Sequence, residues 1–429
     1  MFFICNNLCY NYFIIGGEYM NIIDVIDKKR KGDELSKDEL DFAFNGYLNK
    51  DILDYQMSSL LMAICINGMT DQEVFDLTDI FIKSGEVLDL SIIPGVKVDK
   101  HSTGGVGDKT TLIVAPIVAS LGIKIPKMSG RGLGLTGGTI DKLESIPGFR
   151  VEVTKDQFMK ELNDIGMIVC SQTDNLVPLD KVIYSLRDVT GTVESIPLIA
   201  VSIMSKKIAS GADKILIDIK CGDGALIKDD RSAKELRDLM IRIGNVYNKE
   251  VRCIISDMDT PLGACVGNAL EVAEAVELLD GKVRNNLYDL CVDIASNMVS
   301  MGKEISIVDA REEVIDAINN KSALAKFNQF VAYQGGNLEE MRISDNKLEI
   351  KSTKKGVITA IDALIVSKVS NALGSGRTSI DDVIDYEVGV FLNKQVGDSI
   401  DVGETLCTLY YNKVSDNFNI TDAFKIEEK

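Results

Sequence analysis

The sequence predicts an α/β protein with a small all-helical domain, a larger α/β domain around a central mixed sheet, and a β-rich C-terminal module. Up to about residue 95, apolar residues recur at helical spacing and helix-capping patterns are frequent. From 96 to 345, strand-like apolar runs alternate with glycine-rich turns and amphipathic helices, which is typical of α/β domains. Short β runs separated by turns dominate 346–429.

The first helical segment contains two predicted capping boxes, Ser36 with Glu39 and Thr70 with Glu73. In such a box a hydroxyl and a carboxylate satisfy free N–H groups where a helix begins. An apolar stripe at helical spacing between the two boxes is interpreted as core. The residues of this stripe are Met57, Leu60, Leu61 and Ile64.

These patterns divide the chain into four parts. The helical domain consists of two segments, because helical spacing returns after residue 175. The four parts are an extension (1–19), the helical domain (20–95 with 176–211), the α/β domain (96–175 with 212–345) and the β-rich module (346–429). The extension lacks the basic start and the small-residue cleavage site of a signal peptide. We interpret it as non-native sequence preceding a natural start at Met20, or as a disordered extension.

Two glycine clusters mark the start of the α/β domain, with nine of the 35 glycines lying between Gly104 and Gly138. The first cluster follows a short β-branched run and precedes an apolar helical run at 112–121. Free backbone N–H groups at such a helix start favour a phosphate. Lysine and hydroxyl side chains among the glycines are suitable donors to phosphate oxygens. The alternative is two tight turns that bind nothing.

Two generic nucleotide motifs were compared with these clusters. Gly104–Thr110 is not a P-loop, because Asp108 stands where that motif needs glycine before its lysine. Gly132, Gly134 and Gly137 fit the dinucleotide pattern G-x-G-x-x-G, but that match is weak on its own.

Composition limits the class of function. The net charge of −18 argues against nucleic-acid or anionic-membrane partners, so an anionic substrate needs a local basic cluster. Nine cysteines without C-x-x-C pairs indicate reduced thiols and a cytoplasmic protein. His101 is the only histidine, which excludes a histidine-rich zinc site.

The sequence around the clusters resembles the pyrimidine-nucleoside phosphorylase and thymidine phosphorylase family (nucleoside phosphorylase class II). The resemblance lies in KHSTGGVGD, KMSGRGLG, TGGTIDKLESIPGF and PLGACVGNALEV, and it extends from Met20 to about Lys413. It implies reversible phosphorolysis of uridine, thymidine or deoxyuridine to the free base and a pentose 1-phosphate. It also implies inorganic phosphate as co-substrate, no organic cofactor, a homodimer formed through the helical domain, and closure of the two domains over the substrates.

The resemblance implies two sets of binding residues. The phosphate set is Lys100, His101, Ser102, Thr111, Lys127, Met128, Ser129 and Thr139. The pyrimidine set is Tyr184, Arg187, Ser202 and Lys206. The catalytic groups would be His101, Arg187 and Lys206, which stabilise the charge that develops on the departing base. Lys207 lies off the face shared by Ser202 and Lys206, and we expect it to be solvated.

A monovalent cation site is also implied by the resemblance. Its positions are Gly107, Lys109, Leu262, Cys265 and Glu274. Family members usually carry a small residue where this chain has Lys109. We therefore hypothesise that the Lys109 ammonium replaces a bound potassium ion.

At other positions this chain also differs from the family that it resembles, and these differences leave its substrate specificity and its turnover open. Leu135 stands where most members carry a histidine thought to help domain closure, and Asp223 and Leu226 also differ from the usual residues. Lys127 resembles the form that accepts both uridine and thymidine. The alternatives are a thymidine-restricted phosphorylase, a phosphoribosyltransferase of the same fold, and an inactive nucleoside-binding protein.

Overall fold

The computed structural model describes residues 12–15, 18–132, 137–377, 382–413 and 419–428. Contacts divide the chain into two units. The helical unit contains the described residues up to Leu88, Asp174–Gly211 and Glu235–Asn248, and the α/β unit contains Asp89–Thr173, Ala212–Lys234 and the described residues from Lys249 onward. Leu135 lies outside the described residues, as does most of the predicted extension.

The elements follow one another along the chain in five stretches. The first contains β1 (Tyr12–Ile15), β2 (Glu18–Asn21), α1 (Ile22–Arg30), α2 (Lys37–Leu48), α3 (Asp54–Asn67) and α4 (Asp71–Lys83). The second contains β3 (Val98–Ser102), α5 (Thr110–Ser120), β4 (Ile125–Ser129), α6 (Thr139–Glu144), α7 (Lys155–Ile165) and β5 (Met167–Ser171). The third contains α8 (Pro178–Thr190) and α9 (Ile196–Ala209).

The two remaining stretches complete the chain. The fourth contains β6 (Lys214–Cys221), α10 (Asp230–Val246), β7 (Glu250–Asp257), β8 (Cys265–Val266), α11 (Asn268–Leu279), α12 (Asn286–Lys303), α13 (Ile307–Asn319) and α14 (Ser322–Tyr333). The fifth contains β9 (Lys347–Lys351), β10 (Gly356–Ile361), α15 (Ala363–Leu373), β11 (Gly389–Leu392), β12 (Ser399–Ile400), β13 (Thr405–Tyr410) and β14 (Phe424–Glu427). Short 3-10 turns lie at Leu338–Glu340 and Ile420–Ala423.

The helical unit forms around the predicted signals. Both capping boxes are present, at the starts of α2 and α4, and the apolar stripe of α3 is fully buried. Glu73 also closes a buried ion pair with Lys29, whose Nζ lies 2.7 Å from Glu73 Oε1. One carboxylate therefore caps α4 and neutralises a lysine of α1.

The α/β unit is built on parallel strands. β3 pairs with β6 and β6 pairs with β7, all parallel, and β4 pairs in parallel with β5. A parallel bridge between Lys97 and Lys124 joins the start of β3 to the start of β4. The sequence predicts a mixed central sheet, whereas all of these described pairings are parallel. The carboxyl ends of its strands face one edge, where the glycine loops emerge.

The units differ from the division made on the sequence at 89–95, which group with the α/β unit, and at two larger segments. Residues 235–248, the larger part of α10, group with the helical unit and not with the α/β unit. The β-rich module groups with the α/β unit, because β11 pairs with β8 at Val390–Val266 and Phe391–Cys265. Sequence patterns do not report such long-range pairings. None of the described helices is long and apolar enough to cross a membrane.

Glu161 on α7 is a buried carboxyl group whose nearby positive charge, on Arg150, does not compensate for burial. It is 2% exposed, and its Oε1 has no hydrogen-bond partner among the described residues. Burial raises its pKa to about 8, against the opposing charge of Arg150. Since the folded-state pKa lies above the ordinary 4.5, the folded state holds the proton more tightly. Glu161 therefore favours folding below about pH 4.5, and this contribution is lost as the pH rises through about 8.

Glu161→Gln is expected to remove this pH dependence, because the amide stays neutral at every pH. At about pH 9 the variant should be more stable than the parent by roughly 1–3 kcal/mol, and at about pH 5 nearly equal to it. Urea unfolding at both pH values measures the difference. Glu152→Gln, at an exposed position just before α7, is the matched control and should change neither value. A variant less stable than the parent at both pH values would contradict the prediction.

Candidate active site

The first glycine loop begins at the carboxyl end of β3, where Lys100 and Ser102 share one face of the strand. Lys100 is 2% exposed, and its Nζ donates to Thr110 Oγ1 at 2.5 Å. The same Nζ lies 3.6 Å from Asp218 Oδ2. His101 is partly buried between Lys100 and Ser102 in the same strand. A buried ammonium thus lies where the loop begins, which is the arrangement expected for holding an anion.

Asp108 closes this loop from within. Its carboxylate accepts hydrogen bonds from the Ser102 hydroxyl and from the Thr110 hydroxyl and N–H. Burial disfavours the charged carboxylate, but the Lys100 and Lys220 ammonium groups and these hydrogen bonds hold the pKa of Asp108 well below its usual range. Asp108, which excluded a P-loop in the sequence, therefore fixes the conformation of the loop by accepting these hydrogen bonds.

A buried ion pair supports Lys100 from the neighbouring strand. Lys220 Nζ lies 2.7 Å from Asp218 Oδ2, and both side chains are fully buried on β6. Ser256 Oγ donates to Asp218 Oδ1 at 2.6 Å. Sequence reasoning missed this pair, because 215–220 was interpreted only as a buried strand. Two charged residues at i and i+2 in that strand were the available signal.

Thr111 lies in the first turn of α5, a helix buried along nearly its whole length. Loops from three strands meet in front of this helix start. The amide of Gly224 donates to Met258 O at 2.9 Å, and that of Leu262 donates to Val106 O at 3.0 Å. Asp223 lies exposed in the loop after β6, and Leu226 is partly buried there.

The second glycine loop follows β4. Lys127 is 4% exposed, whereas Met128 and Ser129 are partly buried at the end of the strand. Thr139 is the first residue of α6. Phosphate residues predicted from the resemblance thus lie on β3, α5, β4 and α6, all within the α/β unit.

Asp141 holds the described ends of this second loop together. Its Oδ2 accepts hydrogen bonds from the N–H groups of Gly132 at 2.6 Å and Gly138 at 3.1 Å. Its Oδ1 lies 2.7 Å from Arg377 Nη1. Sequence reasoning missed both side chains of this pair, since 236 residues separate them along the chain.

Arg187 in the helical unit is 1% exposed and binds backbone carbonyls. Its guanidinium donates to Thr192 O at 3.0 Å, Val193 O at 2.7 Å and Leu198 O at 3.2 Å. Burial lowers the pKa of this guanidinium. The arginine predicted to contact the base therefore also shapes the turn between α8 and α9. Of its five N–H donors, two bind carbonyls of this turn and one binds a carbonyl in the first turn of α9.

Lys206 on α9 forms the second charged group of this unit. Its Nζ lies 2.7 Å from Asp180 Oδ2 on α8, and 23% of its side chain is exposed. Asp180 was not recognised in the sequence, and its position in the first turn of α8 suits a carboxylate. Tyr184 is exposed on α8, and Ser202 is buried on α9. The pyrimidine set therefore lies on two neighbouring helices.

One expectation for α9 was wrong. Lys207 is 3% exposed and lies among the buried residues of the helix, not in solvent. α9 is apolar around nearly its whole circumference, so a lysine off the Lys206 face still enters packed surroundings.

The positions assigned to a cation hold the Lys109 ammonium instead. Lys109 Nζ donates to Leu262 O at 2.9 Å, Cys265 O at 2.8 Å and Glu274 Oε2 at 2.6 Å. Burial disfavours the ammonium, but the carboxylates of Glu274 and Glu271 outweigh burial and raise the pKa of Lys109. With Lys109 in place these oxygens do not fit a free metal ion, because an ammonium already binds them.

Three family models match the chain. The model described as "Glycosyl transferase family, a/b domain" matches 95–324, and "Glycosyl transferase family, helical bundle domain" matches 23–85. The third, "Pyrimidine nucleoside phosphorylase C-terminal domain", matches 357–427.

Curated relatives match nearly the whole chain. The pyrimidine-nucleoside phosphorylase of Staphylococcus haemolyticus is 48% identical over 413 residues, which cover 95% of this chain and 94% of the relative. That of Bacillus subtilis is 47% identical over 422 residues, covering 95% and 98%. Anthranilate phosphoribosyltransferase from Thermus thermophilus superposes with a TM-score of 0.57 at 15% identity, covering 72% of this chain and 99% of that chain. The last similarity concerns the fold alone.

The family models make this chain a glycosyltransferase with a helical-bundle domain and an α/β domain, and its curated relatives place it in the pentosyltransferase class of enzymes. Within that class, the chain belongs to the pyrimidine-nucleoside phosphorylase family. The resemblance found in the sequence is confirmed.

Proposed function

We propose that this chain catalyses the reversible phosphorolysis of pyrimidine nucleosides to the free base and ribose or deoxyribose 1-phosphate. The observation that carries the proposal is the buried Lys100 ammonium at the start of a glycine loop, beside the Ser102 and Thr110 hydroxyls that Asp108 holds in place. The names of the curated relatives support the same reaction.

In the proposed reaction a phosphate oxygen forms a bond to C1′ of the nucleoside while the C1′–N1 bond breaks. The bonding electrons leave with the base, so negative charge develops on the pyrimidine. Lys206 stabilises that charge, and Arg187 contributes through its remaining N–H groups or by shaping the site. Lys100 orients the phosphate, and His101 contacts the pyrimidine carbonyl or supplies a proton to the base. These steps require no organic cofactor.

We also propose that the enzyme accepts both uridine and thymidine, because Lys127 resembles the form with broad specificity. A thymidine-restricted enzyme is the alternative. Base release from uridine and thymidine, measured side by side with EDTA and with or without phosphate, tests both proposals. Comparable phosphate-dependent release from the two nucleosides is expected. Release from thymidine alone would refute the broad specificity, and no release despite nucleoside binding would refute the phosphorylase.

A homodimer formed through the helical unit is proposed as the working form. Exposed apolar side chains follow one face of α3 at helical spacing: Tyr55 is 60% exposed and Ile66 is 74% exposed, with Met62 between them. A second copy of the chain would cover this face. Light scattering should give the mass of two chains, and Ile66→Asp should shift it towards one chain. A monomeric parent would refute the proposal.

Five cysteines of the described residues are free thiols: Cys65, Cys221, Cys265, Cys291 and Cys407. This supports the proposal that the enzyme works in the cytoplasm, where thiols remain reduced.

A further inference from the structure

Lys109 donates hydrogen bonds to three oxygens that no other described cation shares. Its Nζ has three N–H groups, and it lies within 2.6–2.9 Å of two backbone carbonyls and one carboxylate. The side chain is fully buried. We propose that Lys109 is a tethered monovalent cation, which makes the enzyme independent of potassium and other free ions.

The set of oxygen ligands has the chemistry of a site for a single positive charge. Two neutral carbonyl oxygens and one carboxylate would leave a doubly charged ion under-compensated, since such ions recruit several carboxylates or waters. A lysine ammonium meets the same oxygens without being exchanged with solvent. Because it is covalently held, its local concentration does not depend on the ionic composition of the cell.

The ammonium also couples the first glycine loop to a distant turn. Lys109 is the residue immediately before α5 and follows Asp108, which orients the donors of Ser102 and Thr110. Gly107, at φ +72°, packs so closely that a Cβ there would lie 2.7 Å from Leu262 O. The charge of Lys109 thus holds the loop against residues 262–265. The effect on phosphate binding rests on the function proposed above, whereas the effect on stability does not.

Lys29 is a second buried lysine, and its ordinary ion pair differs from the contacts of Lys109. Lys29 Nζ contacts both carboxylate oxygens of Glu73, at 2.7 and 2.9 Å, and no backbone carbonyl is paired with it among the described residues. Removing Lys29 would leave a carboxylate that still accepts hydrogen bonds from the N–H groups of Leu35 and Thr70, with no carbonyl oxygen beside it among the described contacts. Removing Lys109 would leave a carboxylate together with two carbonyls, which is a ligand set that a free potassium ion can occupy.

The test compares melting temperatures in potassium, sodium and choline chloride at one ionic strength of about 0.1 M, so that screening is constant. Lys109→Thr opens the position. Lys109→Met removes the charge but fills the space with a stem of similar length. Lys29→Thr removes a buried lysine of the ordinary kind. Phosphate binding to each protein is measured by calorimetry in the same salts.

The parent should melt at the same temperature in all three salts. Lys109→Thr should melt about 5 °C or more below the parent in choline and recover at least half of that loss in potassium, because a bound ion stabilises the folded state. Its phosphate affinity should recover in parallel. Lys109→Met and Lys29→Thr should melt below the parent in all three salts, and potassium should not raise their melting temperatures selectively.

Two results would overturn the proposal. One is a parent protein that melts higher in potassium than in choline; the other is a Lys109→Thr variant that responds to all three salts as Lys29→Thr does. If Lys109→Thr does not fold, thallium(I) NMR of the parent decides: no bound thallium is expected, and a bound signal displaced by potassium would refute the tethered cation. If potassium restores the stability of Lys109→Thr but not its phosphate affinity, the proposed cation site is supported and the result counts against the proposed function.

Discussion

Lys206→Met is expected to lower kcat/KM for phosphorolysis of uridine and thymidine by about 10²–10³. The Lys206 ammonium is the partly exposed cation of the pyrimidine set, and Asp180 holds it at 2.7 Å. Methionine keeps the length of the stem but cannot stabilise negative charge on the departing base. The loss should therefore fall mainly on kcat, since charge develops only as the glycosidic bond breaks.

Two further variants separate this role from general damage. Asp180→Asn should cost less, about 10-fold in kcat/KM, because the ammonium remains but is held less firmly. Lys181→Met is the matched control: Lys181 is exposed on α8 and pairs with exposed Asp174, so activity should not change. Melting curves of all three variants check the fold. A folded Lys206→Met enzyme with parental kcat/KM would exclude the proposed role.

Lys100→Met is expected to raise the phosphate KM by about 10²-fold, because a charge-assisted hydrogen bond to phosphate contributes about 1.5–3 kcal/mol. The nucleoside KM should change little. The variant also leaves Asp108 and Asp218 with Lys220 as their remaining close cation in the described structure, so some loss of stability is expected too. Calorimetric titration with phosphate and initial rates at varied phosphate measure the effect.

Lys97→Met is the matched control for Lys100→Met. Lys97 precedes β3, is 6% exposed, and its Nζ lies 3.4 Å from Asp213 Oδ2. It is therefore also a buried lysine in an ion pair, but at the opposite end of the strand from the glycine loop. Comparable destabilisation with an unchanged phosphate KM is expected. Equal effects of the two substitutions on phosphate binding would show that Lys100 acts through the fold and not at the phosphate.

Local signals in the sequence predicted much of the architecture. Capping boxes at Ser36 and Thr70 depend on residues three positions apart, and both formed as predicted. The glycine clusters did mark loops between a strand and a helix start, because backbone turning is also a local requirement. The alternation of apolar strands, turns and helices predicted between 96 and 345 is present from β3 to α14.

The residues that sequence reasoning missed act through partners far along the chain. Asp218 on β6 reaches Lys100 only because β3 and β6 pair in parallel. Asp180 meets Lys206 only where the folded helical unit brings α8 to α9, and Asp141 meets Arg377 only in the folded α/β unit. Lys207 was misjudged for the same reason, since helical spacing does not reveal how many sides of α9 are covered.

The sequence by itself determined the family, the glycine loops and the unusual lysine at position 109, because these depend on residue identity and short spacing. Only the tertiary structure decided what the Lys109 ammonium binds. Its three oxygens come from Leu262, Cys265 and Glu274, more than 150 residues away. Two of them are backbone carbonyls, which every residue carries, so no side-chain pattern could identify them. Folding brings them within hydrogen-bond distance of one buried charge, and burial makes that charge costly unless it is bound.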